Sequence, residues 1–223
     1  MSLTLYYHPL SSYCHKVLIA LYENGVHFER RLINLGEAAD RAELAALWPV
    51  TKFPVLRDDE RNVVLPESSV IIEHVDRHYP STHPLLPLDG DAALPVRLWD
   101  RIVDNYVHAP MQRIVADRIH DERGNLEPQR ALLDAAYGVL EAQLAEHEWL
   151  AGSDFTLADC AATPALFYAS TLRPIPATCP RLAAYFERLV ARPSVQRVHD
   201  EARPWRTPPT CRSPLKTLRN IDR

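Results

Sequence analysis

The spacing of hydrophobic and polar positions changes once along the chain, near residue 80. Before that point, short runs rich in β-branched and aromatic residues alternate with segments whose apolar positions recur at helical spacing. The order of these segments is β-α-β, followed by α-β-β-α. Beyond residue 80 only the helical spacing continues. The pattern therefore predicts an α/β N-terminal domain and an all-α C-terminal domain.

Start and stop signals place the elements of the first domain. The first strand is predicted at residues 3–7, and the side chain of Ser11 or Ser12 can cap the helix that follows it. A second strand is predicted within 27–35, a third strand into which residues 52–56 lead, and a fourth at 63–65, and later helices are predicted at 40–47 and 67–79.

Composition shifts divide the chain into four segments. We predict an α/β domain at 1–80, a proline-containing linker at 81–92, a helical domain at 93–202 and a proline-rich, basic tail at 203–223. The first helix of the helical domain carries an apolar stripe at Leu94, Leu98, Ile102 and Val103, and Pro110 should bend or interrupt it. Further helices are predicted around 132–144, 156–170, 181–191 and 194–202. The tail is expected to pack over the helical domain or over the mouth of a cleft.

Composition excludes several classes of protein. Hydrophobic residues make up 47% of the chain, which is enough for a globular core. The net charge of −4 gives no electrostatic reason to expect nucleic acid or a membrane surface as a partner. The four cysteines are far apart and show no metal-binding spacing, so we expect no metal. No secretory signal is visible at the N-terminus, and we therefore expect reduced thiols in the cytoplasm.

The first candidate site lies between a strand end and a helix start, in the run Ser11-Ser12-Tyr13-Cys14. The N–H groups and the dipole of a helix N-terminus favour an anion at this point. A thiolate bound there would be stabilised by the same field that lowers the pKa of thioredoxin-type cysteines. On these residues alone, a simple N-cap is the more economical interpretation.

Two further pairs carry chemistry that suits a peptide-like ligand. A cis peptide at Phe53-Pro54 would leave the backbone groups of Phe53 outside the sheet, where an extended ligand can pair with them. Glu67 suits an ammonium group and Ser68 suits a carboxylate, so the pair matches the zwitterionic end of an amino acid. Taken alone, Glu67 and Ser68 read more simply as caps of the next helix.

Other signals are weaker. His74 and His78 stand four residues apart on one helix, but no third ligand is evident, and a solvated helix face is the favoured interpretation. His8 could face a site or the surface equally well. Thr156 and Asp159 form a capping box, which is structural.

The order of these motifs resembles that of the cytosolic glutathione transferase family. The serine pair is followed by FPVL, then by the Glu-Ser pair, and in the second half by FTLADCAATPAL. The resemblance covers about residues 3–202 and points to serine-type members of the theta, delta and zeta groups, particularly bacterial ones. It implies a thioredoxin-like fold for the N-terminal domain, glutathione as co-substrate, a role in detoxification and a homodimer.

Carried over by position, the resemblance implies that Ser11 donates a hydrogen bond to the glutathione thiolate, with Ser12 as the alternative. Thioredoxin relatives carry a Cys-x-x-Cys pair at the positions of Ser11 and Cys14. Because the first position is serine here, the resemblance implies that disulfide exchange through this pair is lost.

The rest of glutathione would be held by two other segments. The resemblance implies that Phe53, before a cis Pro54, binds the cysteinyl backbone. Glu67 and Ser68 would bind the γ-glutamyl end, and Lys52 would reach the glycine carboxylate.

The second substrate would be a hydrophobic electrophile. The resemblance implies a pocket that is lined from near Pro9 and from the long helix, where the candidates are Tyr106, His108, Met111 and Arg113.

Alternative functions remain open at this point. The zeta signature has a cysteine and an arginine at the positions of Tyr13 and Lys16, which argues against an isomerase of the maleylacetoacetate kind. A glutathione-dependent reductase or peroxidase would ordinarily need a cysteine at position 11. A non-catalytic glutathione-binding protein would have lost the serine, proline and Glu-Ser set, which this chain retains.

Overall fold

A computed structural model describes residues 3–79, 81 and 83–206. The chain divides into two compact units, Met1–Pro87 and Leu88–Arg223. The predicted linker 81–92 spans this division, but its last three residues already belong to a helix that begins at Gly90. Of the predicted tail, 207–223 lies outside the described residues, and so does the prediction of its packing.

In its described residues, the first unit contains a mixed four-stranded sheet and three helices. The strands are β1 (Leu3–Tyr7), β2 (Glu29–Leu32), β3 (Val55–Asp58) and β4 (Val63–Pro66), and the helices are α1 (Ser12–Glu23), α2 (Ala38–Leu47) and α3 (Ser68–His78). The sheet order is β2-β1-β3-β4, with β1 parallel to β2 and the other pairs antiparallel. The predicted thioredoxin-like α/β domain is therefore confirmed.

The core of this unit explains why the elements form where they do. β1 and β3 are the central strands, and alternate residues such as Leu3 and Leu5 are fully buried. Tyr6, Ile33 and Val55 pack in one hydrophobic cluster with α2. α1 packs against α3, so the helix after the first strand and the helix after the last strand are neighbours.

The regular elements of the second unit are all helices in its described part, apart from an isolated β-bridge between Trp149 and Gly152. It contains α4 (Gly90–Val103), a π-helical segment (Asp104–His108), α5 (Ala109–His120), α6 (Glu127–Gln143), α7 (Leu157–Leu172), α8 (Pro180–Val190) and α9 (Pro193–Arg206). α7 is central, since α4, α5 and α8 all pack against it. The predicted all-α domain is confirmed, and none of its described helices is long and apolar enough to cross a membrane.

Two expectations for the helical domain need correction. The predicted interruption takes the form of the π-helical segment immediately before α5, and Pro110 lies in the first turn of α5. The predicted apolar stripe on α4 is only partly buried, because Leu94 and Leu98 are 64% and 55% exposed whereas Val103 is buried. The buried residues of α4 are Ala93, Val96, Asp100 and Val103. Helical spacing identifies a stripe, but it does not reveal whether that stripe faces the core of the same chain.

The interpretation of His74 and His78 as a solvated face holds for His78, which is exposed, but is wrong for His74. The Nε2 atom of His74 lies 2.8 Å from an Asp58 carboxylate oxygen, and the Tyr79 hydroxyl donates to the same oxygen at 3.0 Å. Burial alone would raise the pKa of Asp58, but hydrogen bonds from His74, Tyr79 and the Arg61 backbone hold it below its usual value. The His74 ring also contacts the His78 ring, with the ring centroids 4.6 Å apart and the planes tilted by 55°. This cluster joins α3 to the end of β3.

Candidate functional site

Three chain segments meet at one end of the sheet. Val55, at the start of β3, is paired with Tyr6 near the end of β1 and with Pro66 at the end of β4. The residues that follow β1, precede β3 and follow β4 must therefore leave the sheet at the same end. The His8 ring stacks on the Phe53 ring at 5.9 Å, which shows that the first two segments touch.

Ser11 is the N-cap of α1. Its backbone N–H donates to the His8 carbonyl at 3.0 Å, and its Oγ accepts from the Cys14 N–H at 3.3 Å. A hydroxyl has one donor and two acceptor positions, so accepting this bond does not use the proton of Ser11. All residues of the first turn of α1 are described, and none of them is acidic. No carboxylate in this turn therefore offsets the positive end of the helix dipole.

Ser12 occupies a different environment from Ser11. It is the first residue of α1 and only 2% exposed, whereas Ser11 is partly exposed. A ligand that approaches the helix N-terminus therefore reaches the Ser11 side chain more readily.

Cys14 is an inert thiol at the same helix start. It is fully buried, and burial raises the pKa of its thiol to about 12, although hydrogen bonds with the Ser11 side chain and the His8 backbone offset part of this effect. The thiolate is the reactive form of cysteine, so Cys14 is neutral and unreactive at physiological pH.

The peptide bond between Phe53 and Pro54 is cis, as predicted. Pro54 is buried and Phe53 packs against the hydrophobic cluster around Tyr6. β3 begins only at Val55, so the backbone of Phe53 lies outside the β-ladder. Lys52, immediately before this pair, is exposed.

Glu67 and Ser68 stand at the start of α3. Glu67 is the N-cap residue and has φ 71° and ψ 110°, a conformation that is uncommon for a residue other than glycine and that often marks a ligand site. Among the described residues, none donates a hydrogen bond to its exposed carboxylate. Ser68 is the first residue of α3 and is buried. The pair thus offers one exposed anion beside a helix N-terminus.

The predicted electrophile residues do not share one environment. Tyr106 is 48% exposed on the π-helical segment, whereas His108 and Met111 are buried within the second unit. The His108 Nδ1 atom lies 3.5 Å from an Asp104 oxygen. Arg113 is exposed and forms an ion pair with Glu122 at 2.6 Å.

Pro9 and His8 both lie in the segment that follows β1. Pro9 is buried in the first unit. His8, which sequence reasoning left undecided, lies against Phe53, and burial lowers the pKa of its imidazole. Extending the pairing of Tyr6 with Val55 by two residues would have placed His8 opposite Phe53.

Within the described part of the chain, no group of three or more His, Cys, Asp or Glu side chains is arranged to hold a metal ion.

Comparison with known proteins gives a consistent result. Residues 5–83 match the family model of the glutathione S-transferase N-terminal domain, and residues 102–193 match that of the C-terminal domain. Glutathione S-transferase 3 of Zea mays is 31% identical over 87% of this chain and 92% of its own length. The stringent starvation protein A homolog of Coxiella burnetii is 33% identical over 74% and 75%. A glutathione S-transferase structure from Methylobacillus flagellatus with GSH bound is 25% identical, with a TM-score of 0.75 over 88% and 98%.

Proposed function

The chain belongs to the glutathione S-transferase family, and on that premise we propose that it is an enzyme that transfers the glutathione thiolate to an electrophilic small molecule. The family resemblance in the sequence is thereby confirmed, while the serine-type subgroup stays part of the proposal. One observation carries it: the segments before α1, before β3 and before α3 leave the sheet at the same end. Glutathione has a thiol, a peptide backbone and a zwitterionic end, and each segment offers groups suited to one of them.

Ser11 supplies the activation of the thiol in this proposal. A free thiol with a pKa of about 8.5 is only a few per cent ionised at neutral pH. A shift of about 2 units requires roughly 2.7 kcal/mol of preferential stabilisation of the thiolate. One hydroxyl donor and a helix N-terminus without a local acid are of the right size. Ser12 is the alternative donor, and its burial makes it the weaker one.

The remaining contacts bind glutathione rather than activate it. The Phe53 backbone, held outside the ladder before Pro54, would pair with the cysteinyl backbone. The exposed Glu67 carboxylate would bind the γ-glutamyl ammonium, and Ser68 at the start of α3 would bind its carboxylate. Lys52 is exposed beside Phe53 and would bind the glycine carboxylate.

The second substrate in the proposal is a hydrophobic electrophile. Of the residues suggested for its pocket, Tyr106 has the best support, because its side chain is half exposed. His108 and Met111 are buried, and Arg113 is engaged by Glu122, so these three have less support.

Two wider features belong to the same proposal. A homodimer is supported by large apolar side chains that stay exposed, which are Val64 and Val70 in the first unit and Leu94 and Leu98 on α4. A cytoplasmic, detoxifying role is supported by the family and by the reduced thiols of the three described cysteines, which are in no disulfide with one another.

A glutathione-dependent reductase or peroxidase has less support. It would need a reactive cysteine at the helix start, and Cys14 is buried with a raised pKa. Loss of the site segments would be expected in a non-catalytic descendant, and the serine, the cis proline and the Glu-Ser pair are all present.

The proposal is tested by titrating the ultraviolet absorbance of the bound glutathione thiolate in wild type, Ser11→Ala and Ser12→Ala. Ser11→Ala should raise the pKa of the bound thiol and lower turnover at neutral pH by about 10–100-fold, with affinity nearly intact. Ser12→Ala serves as the matched control. If the pKa of the bound thiol rises only in Ser12→Ala, Ser12 and not Ser11 donates the hydrogen bond to the thiolate. If this pKa changes in neither variant, the serine mechanism is excluded. Absence of glutathione binding by the wild type would overturn the function itself.

A further inference from the structure

A lysine side chain is buried between the two helices that begin at the candidate site. Lys16 lies in the second turn of α1 and is 0% exposed. Its ammonium donates a hydrogen bond to the Ser69 Oγ at 2.9 Å, and Ser69 is the second residue of α3. The bond therefore joins the body of α1 to the first turn of α3, across 53 residues of sequence.

Lys16 is a charged side chain in the buried part of α1. The residues that follow it, Val17, Leu18 and Ile19, are buried and apolar, the preceding His15 is buried and polar, and a methionine would fill a volume similar to that of lysine. Burying an ammonium group is unfavourable compared with burying an apolar side chain, even when the ammonium is hydrogen-bonded. The best-attested gain from such a group is that it fixes one register of packed elements.

We propose that Lys16 is a positioning residue for glutathione, an inference that rests on the proposed function. By holding Ser69, it fixes the first turn of α3, and with it Glu67 and Ser68, relative to the N-terminus of α1. Glu67 has an uncommon backbone conformation that only the surrounding structure can maintain. A small displacement of a binding group is enough to weaken the contact it makes.

This role predicts a selective defect. Without the bond, α3 can shift along α1, so the γ-glutamyl contacts weaken while the Ser11 hydroxyl stays in place. Lys16→Met should raise the dissociation constant for glutathione about 10-fold and leave the pKa of the bound thiol unchanged. Ser69→Ala should have a smaller effect of the same kind, and Lys16→Arg, which keeps a cationic donor, should restore most of the affinity.

A double-mutant cycle separates positioning from general loosening. Glutathione affinity is measured by calorimetry in wild type, Lys16→Met, Glu67→Ala and the double variant. If Lys16 acts through the γ-glutamyl contact, its substitution should change affinity less than twofold once Glu67 is absent. A 10-fold loss in both backgrounds, or none in either, would overturn the inference. If Lys16→Met does not fold, the same cycle with Ser69→Ala decides the question. Wild type that fails to bind glutathione would instead refute the proposed function.

Discussion

Helices α1 and α7 begin with the same device, a hydroxyl N-cap, but their N-termini differ in how they are completed. In α7 the third helical residue is Asp159, which is buried. Its carboxylate accepts from the Thr156 N–H at 2.8 Å, the Leu150 N–H at 3.0 Å and the Tyr185 hydroxyl at 2.6 Å. The start of α7 is thus closed by an acid of its own chain.

In α1 the third helical residue is Cys14, a buried and neutral thiol. The N-cap, Ser11, is partly exposed and its bond to the Cys14 N–H is long, at 3.3 Å. A helix start that holds no acid is suited to an anion from outside the chain, since the dipole and the N–H groups are the same at both helices. The two helix starts therefore differ at the third helical residue: the buried Asp159 closes the N-terminus of α7, whereas Cys14 leaves the N-terminus of α1 available as a candidate binding site.

The largest effect expected from this difference concerns the reactivity of Cys14. With a pKa raised from 9.0 to about 12, its thiolate fraction at pH 8 falls from about 10⁻¹ to about 10⁻⁴, so alkylation should be about 1000-fold slower than in the unfolded chain. For the same reason, the contribution of Cys14 to stability is present below pH 9 and lost as the pH rises from 9 towards 12. Iodoacetamide labelling with peptide mapping, native against urea-unfolded, measures the ratio. Comparable labelling in both states would mean that the thiol is accessible.

The second effect concerns the acid that closes α7. Asp159→Ala should lower the free energy of unfolding by about 3–5 kcal/mol, because it leaves several buried donors without an acceptor. Asp159→Asn keeps the volume and one acceptor oxygen and should cost less. Urea denaturation measures both, and glutathione affinity of the folded protein should not change. A loss below about 1 kcal/mol in Asp159→Ala would show that the start of α7 is not held by this network.

The third effect concerns the exposed acid before α3. Glu67→Ala should weaken glutathione binding by about 1.5–3 kcal/mol, the range of a charged hydrogen bond. Stability should stay the same, since this exposed carboxylate accepts no hydrogen bond from the described residues. Glu67→Gln, which keeps the shape, is the control for charge. Calorimetry measures the affinities, and an unchanged dissociation constant in Glu67→Ala would remove this residue from the site.

The smallest expected effect is the difference in the free energy of unfolding between variants of the two N-caps, Thr156 and Ser11. Thr156→Ala should destabilise the protein by about 1–2 kcal/mol, as loss of a complete cap does. Ser11→Ala should cost about 0.5 kcal/mol, at the low end for caps, because its bond is long. Urea denaturation of the two variants, with Thr156→Ser and Ser11→Thr as controls, gives the difference. Equal losses would show that both serve the fold to the same degree.

Much of the fold could be predicted from the sequence. The strands and helices of the first unit and the capping box of Thr156 with Asp159 follow the local pattern of the sequence. The cis bond before Pro54 follows from the family resemblance, since cis bonds are uncommon even before proline. Helical spacing, strand propensity and N-cap chemistry act within about four residues, so a short stretch of sequence contains the information they need.

Other features depend on partners far along the chain. Lys16 meets Ser69 across 53 residues, and Asp58 meets His74 across 16. The sequence alone suggests a solvated histidine face, and only packing of α3 against the end of β3 shows that His74 is engaged by Asp58.

The sequence by itself determined which elements form and in what order, since that order follows from local periodicity and capping. Tertiary structure alone decided which faces are buried: Leu94 and Leu98 point to solvent, while His108 and Lys16 are enclosed. It also decided, through the register of Val55 with its two neighbours, that three separate segments leave the sheet at one end. The physical reason is that burial and strand register depend on contacts between residues distant in sequence, which no local pattern records.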